Sequence, residues 1–352
     1  MPKPPAMLPS KVRFARRLLG AVTRILVTLL VILAVVGVWV TQPVWVRRGP
    51  AVPAASPARL QSHVRQLSED FVPRSCDDAT NLVRCADYIG AQFAAAGALV
   101  STQRYRLGAQ AFDNVIARFG PATGACVVVG AHYDACGRFP AADDNASGVA
   151  GLLELAVLLG RAPSPAIAVL CVAYSTEEPP FFSTCGMGSY QHAKALRRAG
   201  VEVKVMLALE MIGCFRDEWW SQRYPVPLLY AIYPARGNYI SIVGNVAQRE
   251  LIRRVKRGMM QATDLPIWSG SLPRRMPGVD FSDHRSYWDF DFPAVMITDT
   301  AFCRSQAYHQ PGDTWDKLDY VRMAKVVDGV AGALTIWTTS AASGSTPAFS
   351  RE

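Results

Sequence analysis

Apolar runs alternate with amphipathic stretches along most of this chain. After two helix-like segments near 57–70 and 78–97, "CVVVGAHYD" reads as a strand, and 145–160 follows with apolar residues at helical spacing. "AIAVLCVAYS" is the next strand, then a helix near 187–199. "VKVMLALEM" and "YISIVGN" are strands, the latter followed by a helix near 246–262. "PAVMITDT" is the last strand, and 320–340 closes the chain as a helix. Continuously apolar strands separated by helices predict an α/β sheet covered on both faces. Residues 214–239 break the alternation and read as a long aromatic loop. No internal repeat is visible.

One apolar run is of another kind. "ILVTLLVILAVVGVWVTQPVWV", residues 25–46, carries no charge and is long enough to cross a bilayer as a helix. The net charge is +9, and residues 1–50 hold eight basic residues and no acid. The remainder is close to neutral, which argues against nucleic acid as a partner. Six basic residues precede the run and two follow it. The bias predicts a single-pass anchor with a cytoplasmic N-terminus and the rest of the chain extracytoplasmic, periplasmic in a bacterium. A cleaved signal peptide is the rival reading, but the run exceeds the usual apolar core of such peptides. The expected organisation is a basic cytoplasmic segment (1–24), a transmembrane anchor (25–46), a Pro/Ala linker (47–56), one folded domain (57–341) and a disordered tail (342–352).

Eight cysteines are present. Cys126 and Cys171 lie in strand-like runs and read as buried thiols. Cys76 and Cys85 are candidates for pairing. Cys136, Cys185, Cys214 and Cys303 fall in loops. No CxxC pair occurs, so a zinc ribbon is excluded.

The chemistry collects where open α/β sheets bind ligands, beyond the carboxyl ends of strands. His132 and Asp134 follow the first strand, with Asp143 and Asp144 on the loop behind them. Glu177 and Glu178 follow the second, Glu210 ends the third, and Tyr308 and His309 follow the last. Each motif alone has a plainer reading: Asp and Asn cap helices, and a Glu-Glu pair usually sits on a solvated turn. Glu210 stands out, because a carboxylate among apolar residues is costly to bury unless a cation or hydrogen bonds neutralise it. Asp283 and His284 read either as a helix cap with a surface imidazole or as support for the site. His63 and His192 read as surface residues. Together the set suggests two metals held by His132, Asp143, Glu178, Glu210 and His309. Imidazole and carboxylate ligands without thiolate suit zinc in an open catalytic site. Asp143 is taken as the bridge, with Asp144 and Asn145 shaping the turn that aims it. Glu177 is left free to carry a proton.

"GAHYD", "ADDNASG", "STEEP", "GMGSYQHA", "ALEMIG", "SDHRSYW" and "MITDTAFCRSQAYHQPGDTWDKLD" occur in the order found in zinc aminopeptidases of the aminopeptidase Y type, a family that includes glutaminyl cyclases. The chain resembles a membrane-anchored, bacterial-like member over roughly 57–340. The resemblance implies a phosphorylase/hydrolase-like three-layer α/β sandwich with a mixed central sheet, here preceded by one transmembrane helix. It implies two Zn²⁺ per chain, one on His132 and Glu210, the other on Glu178 and His309, with Asp143 bridging. It also implies Glu177 as general base, Asp134 as the residue orienting His132, and a cis peptide at Asp143–Asp144. The expected substrate is a peptide or aminoacyl compound. A single-zinc cyclase and a silent receptor-like ectodomain are the alternatives. Glu210 departs from the Asp common at its position in the family.

Overall fold

The computed structural model describes residues 10–46 and 55–339. The expected linker and tail, and the first residues of the basic segment, lie largely outside them. An eight-stranded sheet runs in the order β1-β2-β4-β3-β5-β8-β6-β7. Its centre is β4 (Ala168–Tyr174), β3 (Cys126–His132), β5 (Val203–Glu210) and β8 (Ala294–Thr298), all parallel. β1 (Leu99–Leu107) and β2 (Gln110–Phe119) form an antiparallel hairpin on one side, and β6 (Ile240–Asn245) joins β8 antiparallel on the other. β7 (Ile267–Leu272) pairs with β6 in parallel at the far edge. The sheet is therefore mixed, as the family resemblance implied.

The central strands are apolar throughout because both faces are covered. Along β3, Val127, Val129 and Ala131 enter the larger core, while Cys126 and Val128 enter the smaller one, the alternation a pleated strand requires. The larger core receives α2 (Pro57–Arg65), α3 (Ala79–Ala95), α4 (Gly148–Arg161), α6 (Arg249–Ala262) and α8 (Tyr320–Thr338). The smaller receives α5 (Gly188–Arg198) and the short α7 (His284–Trp288). The hairpin β1–β2 and the edge strand β7 do not follow the rule of continuous apolar runs. β1 carries Ser101, Thr102, Gln103, Arg104 and Arg106 and is largely exposed or half-buried, and β7 is interrupted by Ser269, Gly270 and Ser271.

The N-terminal helix α1 spans Ser10–Thr41. Its stretch Arg16–Thr41 is long and apolar enough to cross a membrane, and its most apolar window is not buried against the rest of the chain. The helix stops five residues short of the expected boundary at 46. Pro43 is the reason: it lacks an N–H and disfavours helical geometry at the residue before it, and Gln42 has turned to φ 42°.

The end of α1 is docked on the domain. Thr41 O accepts hydrogen bonds from Lys256 Nζ (2.8 Å) and Ser269 Oγ (2.5 Å). Trp39 lies under the Arg249 guanidinium, 5.5 Å from the ring centre. Val40 packs with Leu229 and Tyr233. An ammonium at a helix C-terminus also meets the negative end of the helix dipole.

Disulfides are absent among the described residues. Cys85, Cys126 and Cys171 are buried thiols, and the expected candidate pair Cys76 and Cys85 is not joined.

Burial pushes the Lys256 ammonium down to about 8. Between that value and its unfolded value near 10.4, the unfolded chain binds the extra proton, so stability rises with pH across this window. Below pH 8 the cost of burying the charge is fully present. Lys256→Met removes the titration. Denaturant unfolding of both proteins in detergent should show wild type gaining on the variant by about 2 kcal/mol from pH 8 to 10. Parallel pH profiles would contradict the burial of this ammonium.

Candidate active site

The strand ends deliver the side chains. His132 is the last residue of β3, Glu210 the last of β5, and Glu177 and Glu178 follow β4 by way of Ser175 and Thr176. His309 lies on the long loop after β8. His132, Asp134, Asp144, Glu177, Glu178 and Glu210 are buried, and His309 is half-buried.

Asp144, not Asp143, stands at the centre. One Asp144 oxygen is 3.5 Å from His132 Nε2 and the other is 3.1 Å from His309 Nε2. Glu210 Oε2 lies 3.4 Å from His132 Nε2, and Glu178 Oε1 lies 3.3 Å from His309 Nε2. Ligating atoms of His132, Asp144 and Glu178 fall within 4.8 Å of one another. Asp143 points the other way. Its Oδ1 accepts from Gly213 N (3.0 Å), and burial beside the Asp299 carboxylate raises its proton affinity well above the usual range. Asp143, expected as the bridge between two metals, is therefore not among the residues brought together here, and Asp144 occupies the place expected of it. The cis peptide likewise lies at Asp144–Asn145, one residue later than expected.

Two buried carboxylates fix the acidic pairs from behind. Asp134 accepts from Glu177 N (3.1 Å) and Glu178 N (3.0 Å), one on each oxygen. Asp313 does the same for Asp143 N (2.9 Å) and Asp144 N (3.0 Å). Asp134 also lies 3.4 Å from His132 Nδ1, the place of a residue that orients the ring. Asp313 was not anticipated from sequence, although it sits in the quoted "HQPGDTWD". Ser282, also unanticipated, donates to Glu210 Oε2 at 2.7 Å. Arg74 is a third omission: fully buried, it donates to Tyr133 O, Pro140 O and Ala141 O, stapling both ends of the loop after β3.

Non-glycine residues with positive φ cluster here. Ala141, Thr176, Met211 and His309 have φ of 51°, 60°, 48° and 54°, each in or beside a segment that carries a site residue. Such backbone costs about 1–3 kcal/mol per residue and persists where the surroundings over-determine it.

The electrostatics are those of crowded acids. Burial, reinforced by the Asp144 charge, pushes Glu178 up to about 7. Burial raises Glu177 and Glu210 as well. Burial opposes charge on His309, yet the neighbouring carboxylates of Asp144 and Glu178 prevail and raise it to about 10. His132 is likewise raised despite burial, by Glu210 and Glu177. Even so, His132 Nε2, Glu178 Oε1 and His309 Nε2 are buried with no hydrogen-bond partner. Two imidazole nitrogens and a carboxylate oxygen left open toward a shared centre fit a divalent cation.

The remaining histidines are buried rather than on the surface. His63 Nδ1 lies 2.6 Å from Tyr88 Oη and His192 Nδ1 2.6 Å from Tyr287 Oη. His284 Nε2 donates to Val279 O (2.9 Å), and Asp283 is buried just before α7, its carboxyl pushed up to about 7 by burial.

Two clefts meet at the site. A smaller one of about 440 Å³ is lined by Asp144, Glu177, Glu178, Phe182, Tyr308 and His309. A larger, mainly apolar one of about 750 Å³ shares Glu210 and Phe281 with it and continues past Phe302, Leu229, Tyr233 and Met276.

The model of the family described as Peptidase family M28 matches residues 114–334. The uncharacterized protein YfbL of Escherichia coli (strain K12) is 46% identical over 295 residues, 81% of this chain and 90% of that protein. A probable leucine aminopeptidase of Arthroderma otae is 26% identical over 239 residues, 63% of this chain and 57% of that one. Among solved structures, the LapA aminopeptidase of Legionella pneumophila is similar with a TM-score of 0.65 at 18% identity, over 81% of this chain and 73% of that one. A glutaminyl cyclase of Porphyromonas gingivalis is similar with a TM-score of 0.60 at 20% identity, over 80% and 98%. At these identities the solved structures share the fold.

The Asp134 clamp has a direct test. Asparagine keeps one acceptor and turns an N–H₂ toward the second backbone donor. Asp134→Asn should lower stability by about 1–3 kcal/mol, the cost of an unsatisfied buried donor. Thermal unfolding in excess chelator isolates this from any bound metal. An unchanged midpoint would mean that the two amides do not depend on Asp134.

Proposed function

The chain belongs to peptidase family M28, and on that premise we propose that it is a zinc-dependent exopeptidase of the aminopeptidase type. The observation that carries the reading is the convergence of His132 and His309 on the two oxygens of Asp144, with Glu210 beside the first imidazole and Glu178 beside the second. His132 and Glu210 would hold one zinc ion, Glu178 and His309 the other, and Asp144 both. Bound zinc polarises a substrate carbonyl and makes water a stronger acid. Glu177 lines the same cleft and has no part in this ligand set. Its carboxylate takes a proton from the attacking water and passes it to the leaving amine. Burial favours the protonated form of Glu177, the direction a general base needs when it must accept a proton near neutral pH. Asp134 positions His132 and the two glutamates. The apolar cleft beside Glu210 receives an apolar side chain of the substrate. A silent ectodomain would be expected to have lost part of this set, and none of these residue types is missing.

The proposed placement is a single-pass membrane protein. The N-terminus is cytoplasmic, because the basic residues concentrate before the apolar helix, and the domain 57–341 is extracytoplasmic. A reporter fused after residue 352 should be active only outside the cytoplasm. Cytoplasmic activity would reverse the topology.

Zinc content and kcat, measured on the full chain with aminoacyl and N-terminal glutamine substrates, test the chemistry. Asp144→Asn should lose metal, whereas Asp143→Asn should keep it. Glu178→Gln should weaken metal binding. Glu177→Gln should keep the metal and lower kcat about 100-fold or more. Full zinc in Asp144→Asn, or an active Glu177→Gln, would overturn these roles. Release of pyroglutamate with no aminoacyl hydrolysis would make the enzyme a cyclase.

A further inference from the structure

The thiol of Cys136 reaches the same centre. Its Sγ, a Glu178 carboxylate oxygen and a His309 ring nitrogen all lie within 4.8 Å of one another. Glu178 Oε1 and His309 Nε2 are the buried atoms that lack hydrogen-bond partners. Glu178 is only 4% exposed. Cys136 forms no disulfide. Its position is set by the backbone around it: Ala135 N donates to Arg74 O (2.8 Å), and the Arg74 guanidinium holds Tyr133 O at 3.0 Å and Ala141 O at 2.8 Å. The loop that carries the thiol is thus stapled at both ends to a buried side chain.

We propose that Cys136 is a thiolate ligand at the Glu178–His309 half of the site. The inference rests on the two-metal reading above. On ligation the S–H proton leaves to solvent and a sulfur lone pair forms the bond to the cation, with no change of oxidation state. Zinc accepts thiolate together with imidazole and carboxylate. The charges also close. Asp144, Glu178 and Glu210 carry three negative charges against two divalent ions, and a thiolate supplies the fourth. In this state the site is electrically balanced without hydroxide, so the sulfur competes for the position that water needs.

Cobalt(II) loaded into the full chain in detergent is the probe. Cobalt bound to a thiolate absorbs in the near ultraviolet through sulfur-to-metal charge transfer, and oxygen or nitrogen ligands give no such band. The band should appear in wild type, vanish in Cys136→Ser with cobalt still bound, and survive in Cys214→Ser. Cobalt bound without the band in wild type, or a band that persists in Cys136→Ser, overturns the thiolate and leaves the two-metal reading intact. A chain that binds no cobalt overturns both. Alkylation gives a second readout that needs no variant. Exposed Cys185 should label with or without metal, and Cys136 only after chelation. Equal labelling of Cys136 in both states overturns the proposal.

Discussion

Everything at the site depends on how buried negative charge is tolerated. Asp134, Asp144, Glu177, Glu178, Glu210 and Asp313 are each 6% exposed or less and converge from separate segments. A carboxylate taken out of water costs several kcal/mol unless hydrogen bonds or positive charge replace its hydration. The chain meets this in two ways. Asp134 and Asp313 are satisfied internally, each spanning two consecutive backbone amides. Asp144, Glu178 and Glu210 instead face two imidazoles. The first pair is structural. The second set keeps unsatisfied atoms on both histidines and on Glu178, a residual demand of the kind a divalent cation would meet.

The same division explains the strained backbone. Backbone amides that point at Asp134 and Asp313 cannot also continue strand or helix ladders. The chain leaves regular geometry at Ala141 and Thr176, just before these amides, and left-handed φ appears at both. The central parallel strands, apolar on both faces, supply the rigidity that holds these turns in place.

Much of this was legible in sequence because it follows from local pattern. Continuous apolar runs located β3, β4, β5, β6 and β8, and polar residues just past them located His132, Glu177, Glu178 and Glu210. The illegible parts depend on distant partners. Which of Asp143 and Asp144 faces the histidines is set by a turn whose amides are held by Asp313, some 170 positions away. Neighbouring acids among small residues carry no local sign of that choice. His63 and His192 look amphipathic on their own helices, but Tyr88 and Tyr287 cover them. The β1–β2 hairpin was missed because an edge with a solvated face need not be apolar.

The N-terminal apolar helix and the site are connected through one wall. Leu229 and Tyr233 line the apolar cleft and also pack on Val40 in the last turn of α1. Lys256 and Ser269 secure the same turn through Thr41 O, and Ser269 belongs to β7, whose next residue, Gly270, lines the cleft. A helix ending free in solvent would leave its final carbonyls to water. Here Thr41 O is bonded to the domain, so the end of α1 and the cleft wall share one small packed unit. The orientation of the cleft relative to the helix axis is then held by side-chain packing and two hydrogen bonds.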